Sequence, residues 1–239
     1  MRYIIVLMLL LMLFLMLRLY IIPILFVRAI ETDNAGATDT LLDVVPSLLV
    51  YKPDSWNGLS ALRLAAGRGN ANVTRILLIH DADINALEKH LSALHLASLN
   101  GHEKVVNILL SEGADPNLGN SRDGSIALHC VVKGYKFIDS VERKDVDARN
   151  RVLILLLGLS SNPNFRDKNG DTPLHDAVDA LYYDAVKILC EANVNINEVN
   201  DRGETPLKLA LRKKATHNED NLEKDADRII EFLKLKGAR

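Results

Sequence analysis

The stretch 171-DTPLHDAV-178 decides how this sequence is interpreted. It has the chemistry of a helix start, because the hydroxyl of Thr172 can accept a hydrogen bond from a free backbone N–H, and Pro173 lacks an N–H and has a preset φ. Leu174 and Ala177 then fall at i and i+3, on one apolar face of the helix. A single copy would be weak evidence, since such a start occurs in many folds.

Four further copies of the motif are present. They read LSALRLAA from Leu59, LSALHLAS from Leu91, SIALHCVV from Ser125 and ETPLKLAL from Glu204. The matched leucines are separated by 32, 34, 46 and 33 residues and are Leu62, Leu94, Leu128, Leu174 and Leu207. A period near 33 predicts a solenoid of stacked helical units.

A second motif follows each of the first four copies, and an apolar run lies between the two motifs. The second motif ends at an asparagine in every case: Asn85, Asn117, Asn164 and Asn197. The apolar runs, such as VVNILLSE and AVKILCEA, predict a second helix in each unit.

With these motifs, the sequence from about Ser55 to Arg239 resembles the ankyrin repeat family. The resemblance implies an all-α repeat solenoid, in which each unit has a tight turn, two antiparallel helices and an outward hairpin finger. It places about five repeats in an ankyrin repeat domain at 55–239, approximately at 58–88, 90–120, 124–167, 170–200 and 203–239. One N-terminal apolar helix precedes them.

Residues that tolerate a left-handed backbone stand where turns are expected. Four of the five leucine motifs are preceded by a glycine, namely Gly58, Gly124, Gly170 and Gly203, and His90 takes that place in repeat two. Gly113 follows the second helix of repeat two, where a left-handed C-cap is common. Asp81 and Asn193 hold the same place in repeats one and four, whereas Ser160 predicts a less regular helix end in repeat three.

No catalytic, cofactor-binding or metal-binding motif accompanies the repeats. His95, His129 and His175 occupy one position of the motif, which the resemblance makes structural. The sequence contains no HExxH, no P-loop and no G-x-S-x-G. We therefore expect a chain that is not an enzyme and that has no cofactor, metal or small-molecule substrate.

Two charged insertions interrupt the regular period, one within residues 133–150 and one within about 212–227. They are interpreted either as solvated loops or helix extensions, or as a specialised contact surface, since long loops on a rigid scaffold often carry function. Cys130 and Cys190 lie in different repeats and are expected to be buried free thiols. A disulfide is the alternative if the domain is exported.

Residues 3–27 form an apolar segment whose sole charge is Arg18. About twenty apolar residues span the hydrocarbon core of a bilayer, so residues 1–29 are predicted to be a transmembrane signal-anchor or a signal peptide. The residues FVRA, ending at Ala29, are small enough for signal peptidase cleavage, although the apolar stretch is longer than a usual signal core. Flanking basic residues slightly favour a repeat domain outside the cytoplasm; secretion after cleavage is the alternative.

Residues 30–54 are expected to link the apolar segment to the repeats. The polar residues 31–40, ETDNAGATDT, predict a loose connection. Residues 41–50, LLDVVPSLLV, predict a partial helical unit that caps the first repeat, as solenoids require.

The predicted function is that of a non-enzymatic protein–protein interaction scaffold, tethered to a membrane. A net charge of −2 and a pI near 6.4 argue against a nucleic-acid partner. Two alternatives stay open: a secreted or surface effector acting on host proteins, and a structural tether for an envelope enzyme. Candidate contact residues are the finger tips and two aromatic residues: Trp56, Lys89, Asn120, Arg122, Lys168, Asn169, Tyr183, Asp201 and Arg202. The four basic tips, Lys89, Arg122, Lys168 and Arg202, predict an acidic partner segment.

Overall fold

The computed structural model describes residues 2–50, 60–137, 143–159, 161–192, 194–216 and 220–239. Regular secondary structure in these ranges is helical, apart from one isolated bridge between Glu88 and Leu91. The chain divides into an N-terminal unit (Met1–Ala66 with Asn70–Asp83) and a C-terminal unit (Gly67–Gly69 with Ile84–Arg239).

The N-terminal unit begins with one uninterrupted helix. It consists of α1 (Arg2–Met16), five π-helical residues (Leu17–Ile21) and α2 (Ile22–Glu31). The other helices are α3 (Ala35–Val44), a 3₁₀ turn (Pro46–Val50), α4 (Ala61–Arg68) and α5 (Ala71–Ile79). Helix α3 packs against both α2 and α5.

The C-terminal unit contains four successive helix pairs. They are α6 (Ala93–Leu99) with α7 (Glu103–Ser111), α8 (Ala127–Lys133) with α9 (Arg143–Gly158), α10 (Pro173–Asp179) with α11 (Tyr183–Glu191), and α12 (Pro206–Thr216) with α13 (Asp220–Leu235). The first helices of the pairs pack side by side in one layer, and the second helices pack in another. This arrangement confirms the predicted all-α repeat architecture.

The recurring leucines of the motif form the core between the layers. Leu94, Leu128 and Leu174 are at most 2% exposed, and Leu207 is 6% exposed. Alanines one turn later in the same helices, such as Ala97 and Ala177, are fully buried. Small residues at this position allow the helices of neighbouring pairs to approach closely.

The turns follow the expected backbone at the described positions. The φ angles of Gly124, Gly170 and Gly203 lie between 72° and 76°, and His90 adopts 80° in the place of glycine. At the ends of second helices, Gly113 has φ 93° and Asp81 has φ 61°. Gly58, Ser160 and Asn193 lie outside the described residues.

The structure differs from the loose linker expected at residues 31–40. Helix α3 covers most of this stretch, and the side chain of Asn34 caps it by accepting a hydrogen bond from the Ala37 N–H at 3.0 Å. Thr38 and Leu42, four residues apart, are both fully buried, so one face of this polar-looking helix belongs to the core. Packed helical structure therefore begins before residue 41, where the sequence placed the start of a capping unit.

Both insertions lengthen helices in their described parts, which is one of the two interpretations that the sequence left open. Helices α9 and α13 have 16 residues each, against nine in α7 and α11, and α12 has 11 residues against seven in α10. Residues 138–142 and 217–219, within the two insertions, lie outside the described part of the chain.

Contacts to neighbouring helices fasten the first insertion. The rings of Tyr135 and Tyr182 stack with centroids 4.1 Å apart, and the Tyr182 hydroxyl donates to Oδ1 of Asn150 at 2.8 Å. The guanidinium of Arg149 is buried and donates to the backbone carbonyl of Leu99. The described ends of the insertion are therefore integrated into the repeat packing.

Candidate functional site

The asparagine that ends each second motif ties one finger to the next. Its side-chain oxygen accepts a hydrogen bond from a backbone N–H of the following unit. The bonds run from Asp115 to Asn85 (3.0 Å), Asn162 to Asn117 (2.6 Å), Asn195 to Asn164 (2.7 Å) and Arg239 to Asn197 (2.8 Å). These asparagines therefore recur because they build the frame on which the variable finger tips stand.

The histidines of the leucine motif form a second ladder between repeats. Nδ1 of each ring accepts a hydrogen bond from the backbone N–H at the start of its own helix, and Nε2 donates to a backbone carbonyl of the next repeat. The carbonyls belong to Ser125 for His95, Asp171 for His129 and Glu204 for His175, at 3.0 to 3.1 Å. Both ring nitrogens are thus used within the fold, which confirms the structural interpretation of these histidines.

A partly buried charge cluster lies between α8 and α10. The ammonium of Lys133 donates to Ser125 at 2.6 Å, and it forms ion pairs with Asp123, Asp167 and Asp176 at 3.1, 3.3 and 3.4 Å. Three carboxylates surround one cation, and the Asp167 side chain is only 1% exposed. Because buried charges are costly without partners, the cluster depends on Lys133.

The pKa values of the titratable groups in and near the cluster are shifted in different directions. Burial raises the pKa of Asp176 to about 7, although Lys133 opposes the shift. Burial also disfavours ionisation of Asp123, but Lys133 and hydrogen bonds from Ser125 and Asn120 hold the pKa of Asp123 well below its usual value. Burial lowers the pKa of the nearby His129 to about 4, so this ring is neutral at pH 7.

A cleft of about 450 Å³ opens between two adjacent fingers and the helices α6 and α8. Three of the sequence-derived candidates, Lys89, Asn120 and Arg122, line it. Lys89 and Arg122 are exposed, whereas Leu91 and Leu99 contribute half-buried apolar side chains. The cleft thus combines basic side chains at its lip with apolar walls, and Asp123, Cys130 and Lys133 also line it.

Asn120 has a different role from the other two candidates in the cleft. It is 6% exposed, and its Oδ1 accepts hydrogen bonds from the backbone N–H groups of Arg122 and Asp123, both at 2.9 Å. Its side-chain amide also donates to Asp123 Oδ1 at 2.6 Å. Asn120 therefore fixes the conformation of the finger that carries Arg122.

The remaining finger-tip candidates lie on the two following fingers. Lys168 donates from its ammonium to the backbone carbonyls of Ser121 and Arg122, at 2.9 and 3.1 Å, and so joins two tips. Asn169 accepts a hydrogen bond from the Asp201 N–H at 3.0 Å through its backbone carbonyl. The candidates Asn169, Asp201 and Arg202 are exposed.

Of the two aromatic candidates, Tyr183 is not among the residues that line this cleft. Tyr183 begins α11, where it makes an edge-to-face contact with Phe232 and lies 4.3 Å from the guanidinium of Arg228. These contacts place it against α13, in the layer of second helices. Trp56 lies outside the described residues.

A further group of ligand-type side chains lies in the N-terminal unit. Nε2 of His80 is 2.8 Å from Asp39 Oδ1 and 3.9 Å from Asp43 Oδ1. The Asp43 side chain is 69% exposed, and exposed acidic groups of this kind are common without a metal. We therefore assign no metal centre to it.

Sequence reasoning missed the charge cluster around Lys133. Its members come from two fingers and the helices α8 and α10, and Lys133 itself stands at the start of an insertion, where the repeat register is interrupted. One available signal was the acidic residue in the middle of 171-DTPLHDAV-178, because Asp176 lies on the helix face next to buried Ala177.

Comparison with known proteins agrees with this geometry. A family model described as ankyrin repeats (3 copies) matches residues 34–120 and 145–223. The chain is 33% identical to an I-Kappa-B like protein C2 of Microplitis demolitor bracovirus over 121 residues, which cover 50% of this chain and 61% of that protein. It is 34% identical to ankyrin repeat-containing protein P1E11.10 of Schizosaccharomyces pombe over 90 residues, or 35% and 44% of the two chains.

A putative ankyrin repeat protein FPV024 of fowlpox virus is 43% identical over 54 residues, covering 22% of this chain and 9% of that protein. The chain thus spans less than two thirds of each of these relatives. The family model, by contrast, matches well over half of the chain, and it agrees with the helix pairs, the asparagine ladder and the histidine ladder. The chain therefore belongs to the ankyrin repeat family.

Proposed function

We propose that this chain is a non-enzymatic scaffold, tethered to a membrane, that binds an extended acidic segment of a partner protein in the cleft between the fingers carrying Lys89 and Arg122. Ankyrin repeats are protein-interaction modules, so the family supports a protein partner. The chemistry of the partner segment is inferred from the cleft.

The observation that carries this proposal is the pairing of charge and apolar surface in one cleft. Lys89 and Arg122 lie on adjacent fingers, and among the described residues neither forms an ion pair with another side chain. Lys133, by contrast, is already surrounded by carboxylates. The lip is therefore basic, and it suits an acidic side chain of a partner.

The apolar walls of the cleft favour a partner peptide that has an apolar residue beside the acidic one. Leu91 and Leu99 are each only half-buried, so part of their apolar surface remains to be covered. The Cys130 thiol is neutral, because burial raises its pKa to about 12. Covering apolar surface contributes about 25 cal/mol per Å², which complements the weak ion pairs at the rim.

The tether is proposed from the N-terminal helix. Val6–Glu31 is the one candidate span among the described residues, by length and composition alone. Only 11% of its most apolar window is buried, so it is unlike the core helix of a soluble protein. We place the helix in a bilayer, and we leave the side of the membrane on which the repeats lie to experiment.

The binding proposal is tested on the partner recovered by cross-linking in native membranes. The double variant Lys89→Glu/Arg122→Glu is compared with Lys187→Glu/Lys234→Glu, which changes the net charge equally at exposed positions of α11 and α13. Each exposed ion pair contributes about 0–1 kcal/mol, so we expect the first variant to bind about tenfold more weakly, or about 1.4 kcal/mol. The control should bind like the parent.

The melting temperature of both variants should stay near that of the parent, because the substituted side chains are exposed. Equal affinity of the first variant and the parent would contradict the proposed cleft. A single stoichiometric partner enzyme would favour a structural tether, whereas capture of proteins from a host cell would favour an effector.

A further inference from the structure

The turn between α2 and α3 has the same backbone conformation as the turns inside the ankyrin helix pairs. Its left-handed residue is Asp33, with φ 52°. The equivalent residues of three later pairs are Gly69, Gly101 and Leu181, with φ of 79°, 73° and 54°. The residue after each of them also has nearly the same conformation, with φ between −76° and −87° and ψ between 76° and 88°.

One hydrogen bond recurs in these four turns with the same residue type as acceptor. The N–H that follows the left-handed residue donates to the carbonyl of an alanine five positions earlier. The pairs are Asn34 with Ala29 (2.8 Å), and Asn70 with Ala65, His102 with Ala97 and Tyr182 with Ala177 (each 2.9 Å). Ala29 thus holds the position of the small buried alanine in the ankyrin motif.

Burial around Ala29 follows the same register. Phe26, three residues earlier, corresponds to the motif leucines Leu62, Leu94 and Leu174, and it is fully buried. Ala29 is 5% exposed, and Ile30 is fully buried. Apolar side chains from Val6 to Ile21 are exposed, so the change from exposed to buried surface occurs within one continuous helix, near Pro23.

The α2–α3 pair is also joined to the helix pair that follows it in the N-terminal unit. Asp33 accepts hydrogen bonds from the Val73 N–H and from the Asn72 side chain, both at 3.1 Å. The side-chain amide of Asn70 donates to the carbonyl of Ile30. Helix α3 packs on α5, as a second helix does in a stacked repeat.

We propose that Ile22–Leu48 form an additional N-terminal ankyrin unit whose first helix is the end of the apolar helix, so that the apolar segment is retained in the mature chain and the repeats begin at the bilayer surface. Ser92 and Thr172 cap the first helices α6 and α10 of later units, whereas here the helix continues backward into the apolar segment. About 20 residues before Pro23 rise about 30 Å, the thickness of the hydrocarbon core. Cleavage after Ala29 would remove Phe26 and Ala29 from the core of this unit.

This inference rests on the proposed membrane tether, but its first test is independent of any binding partner. The full chain with a C-terminal tag is expressed in cells that have a signal peptidase, and the membrane fraction is washed with carbonate. Intact mass and N-terminal sequencing should show a chain that still contains residues 6–29. A mature N-terminus at Ile30 on a folded protein would overturn the inference while leaving the binding cleft untouched.

The second test separates a structural helix from a mere anchor. In the detergent-solubilised full chain, Phe26→Ala should lower the melting temperature by about 5 °C or more, since it empties a buried site. Leu25→Ala removes a neighbouring apolar side chain that is 48% exposed, and it should leave the melting temperature nearly unchanged. Phe26→Leu introduces the leucine found at this position in the other units, and its melting temperature should remain close to that of the parent even if Phe26→Ala fails to fold. Equal effects of Phe26→Ala and Leu25→Ala would contradict the additional unit.

Discussion

At the scale of single residues, two glycines occupy the same repeat position and have the same backbone conformation, but only one of them is crowded by neighbouring atoms. Gly170 and Gly203 have nearly equal φ angles of 72° and 76°. A Cβ at Gly170 would lie 2.8 Å from the backbone nitrogen of Asp201 and would also meet Arg166, whereas a Cβ at Gly203 would meet nothing within 4 Å. The next finger therefore packs directly over Gly170 and not over Gly203.

We expect Gly203→Ala to cost about 1 kcal/mol of unfolding free energy, because a left-handed backbone disfavours any side chain with a Cβ. Gly170→Ala should cost clearly more, since the finger of Asp201 must also move. Urea unfolding of the two variants measures the difference. Equal costs would show that the close approach at Gly170 can relax freely.

At the scale of elements, apolar periodicity was sufficient to predict helix pairs but insufficient for helix ends. Helix α3 was missed because its buried face contains Thr38 and a cap at Asn34, which resemble the polar residues of a loop. Finger tips were predictable, because the repeat register places Lys89 and Arg122 at equivalent ends of adjacent fingers. The structural role of Asn120 and the cluster around Lys133 depend on partners from other elements, so the linear pattern contained little sign of them.

Helix α7 provides the test of the repeat packing. Leu109 is fully buried in this helix, which packs against α6 and α9, so Leu109→Ala should cost about 2–5 kcal/mol. Repeats stabilise their neighbours, and the loss should therefore extend to hydrogen exchange in α9. Asn107→Ala, at an exposed position of α7, is the control and should change stability by less than about 0.5 kcal/mol. An unchanged melting curve for Leu109→Ala would refute the helix register.

At the scale of the whole molecule, two kinds of buried group give opposite contributions to stability as the pH changes. The pKa of His129 is lowered to about 4 by burial, so the unfolded chain binds a proton more readily between pH 4 and 6.5, and stability falls as the pH falls through that range. Burial also lowers the pKa values of His102 and His175. Asp176 acts in the opposite direction: its pKa is raised to about 7, so the folded chain holds the proton more tightly, and stability falls as the pH rises from about 4 to 7.

We therefore expect Asp176→Asn to be more stable than the parent, by a margin that grows as the pH rises from 4 to 7.5. The variant removes the cost of ionising a buried carboxyl group, while Asp123 and Asp167 still pair with Lys133. The remaining histidines should then make the stability of the variant rise with pH over this range.

Asp123→Asn is the matched control. The pKa of Asp123 is held well below its usual value, so Asp123 is largely ionised above pH 5 in both the folded and the unfolded chain. The decrease in unfolding free energy caused by Asp123→Asn should therefore be nearly constant from pH 5 to 7.5. Urea unfolding of the solubilised chains at four pH values measures both differences. A pH-independent gain for Asp176→Asn would show that folding does not raise the pKa of Asp176.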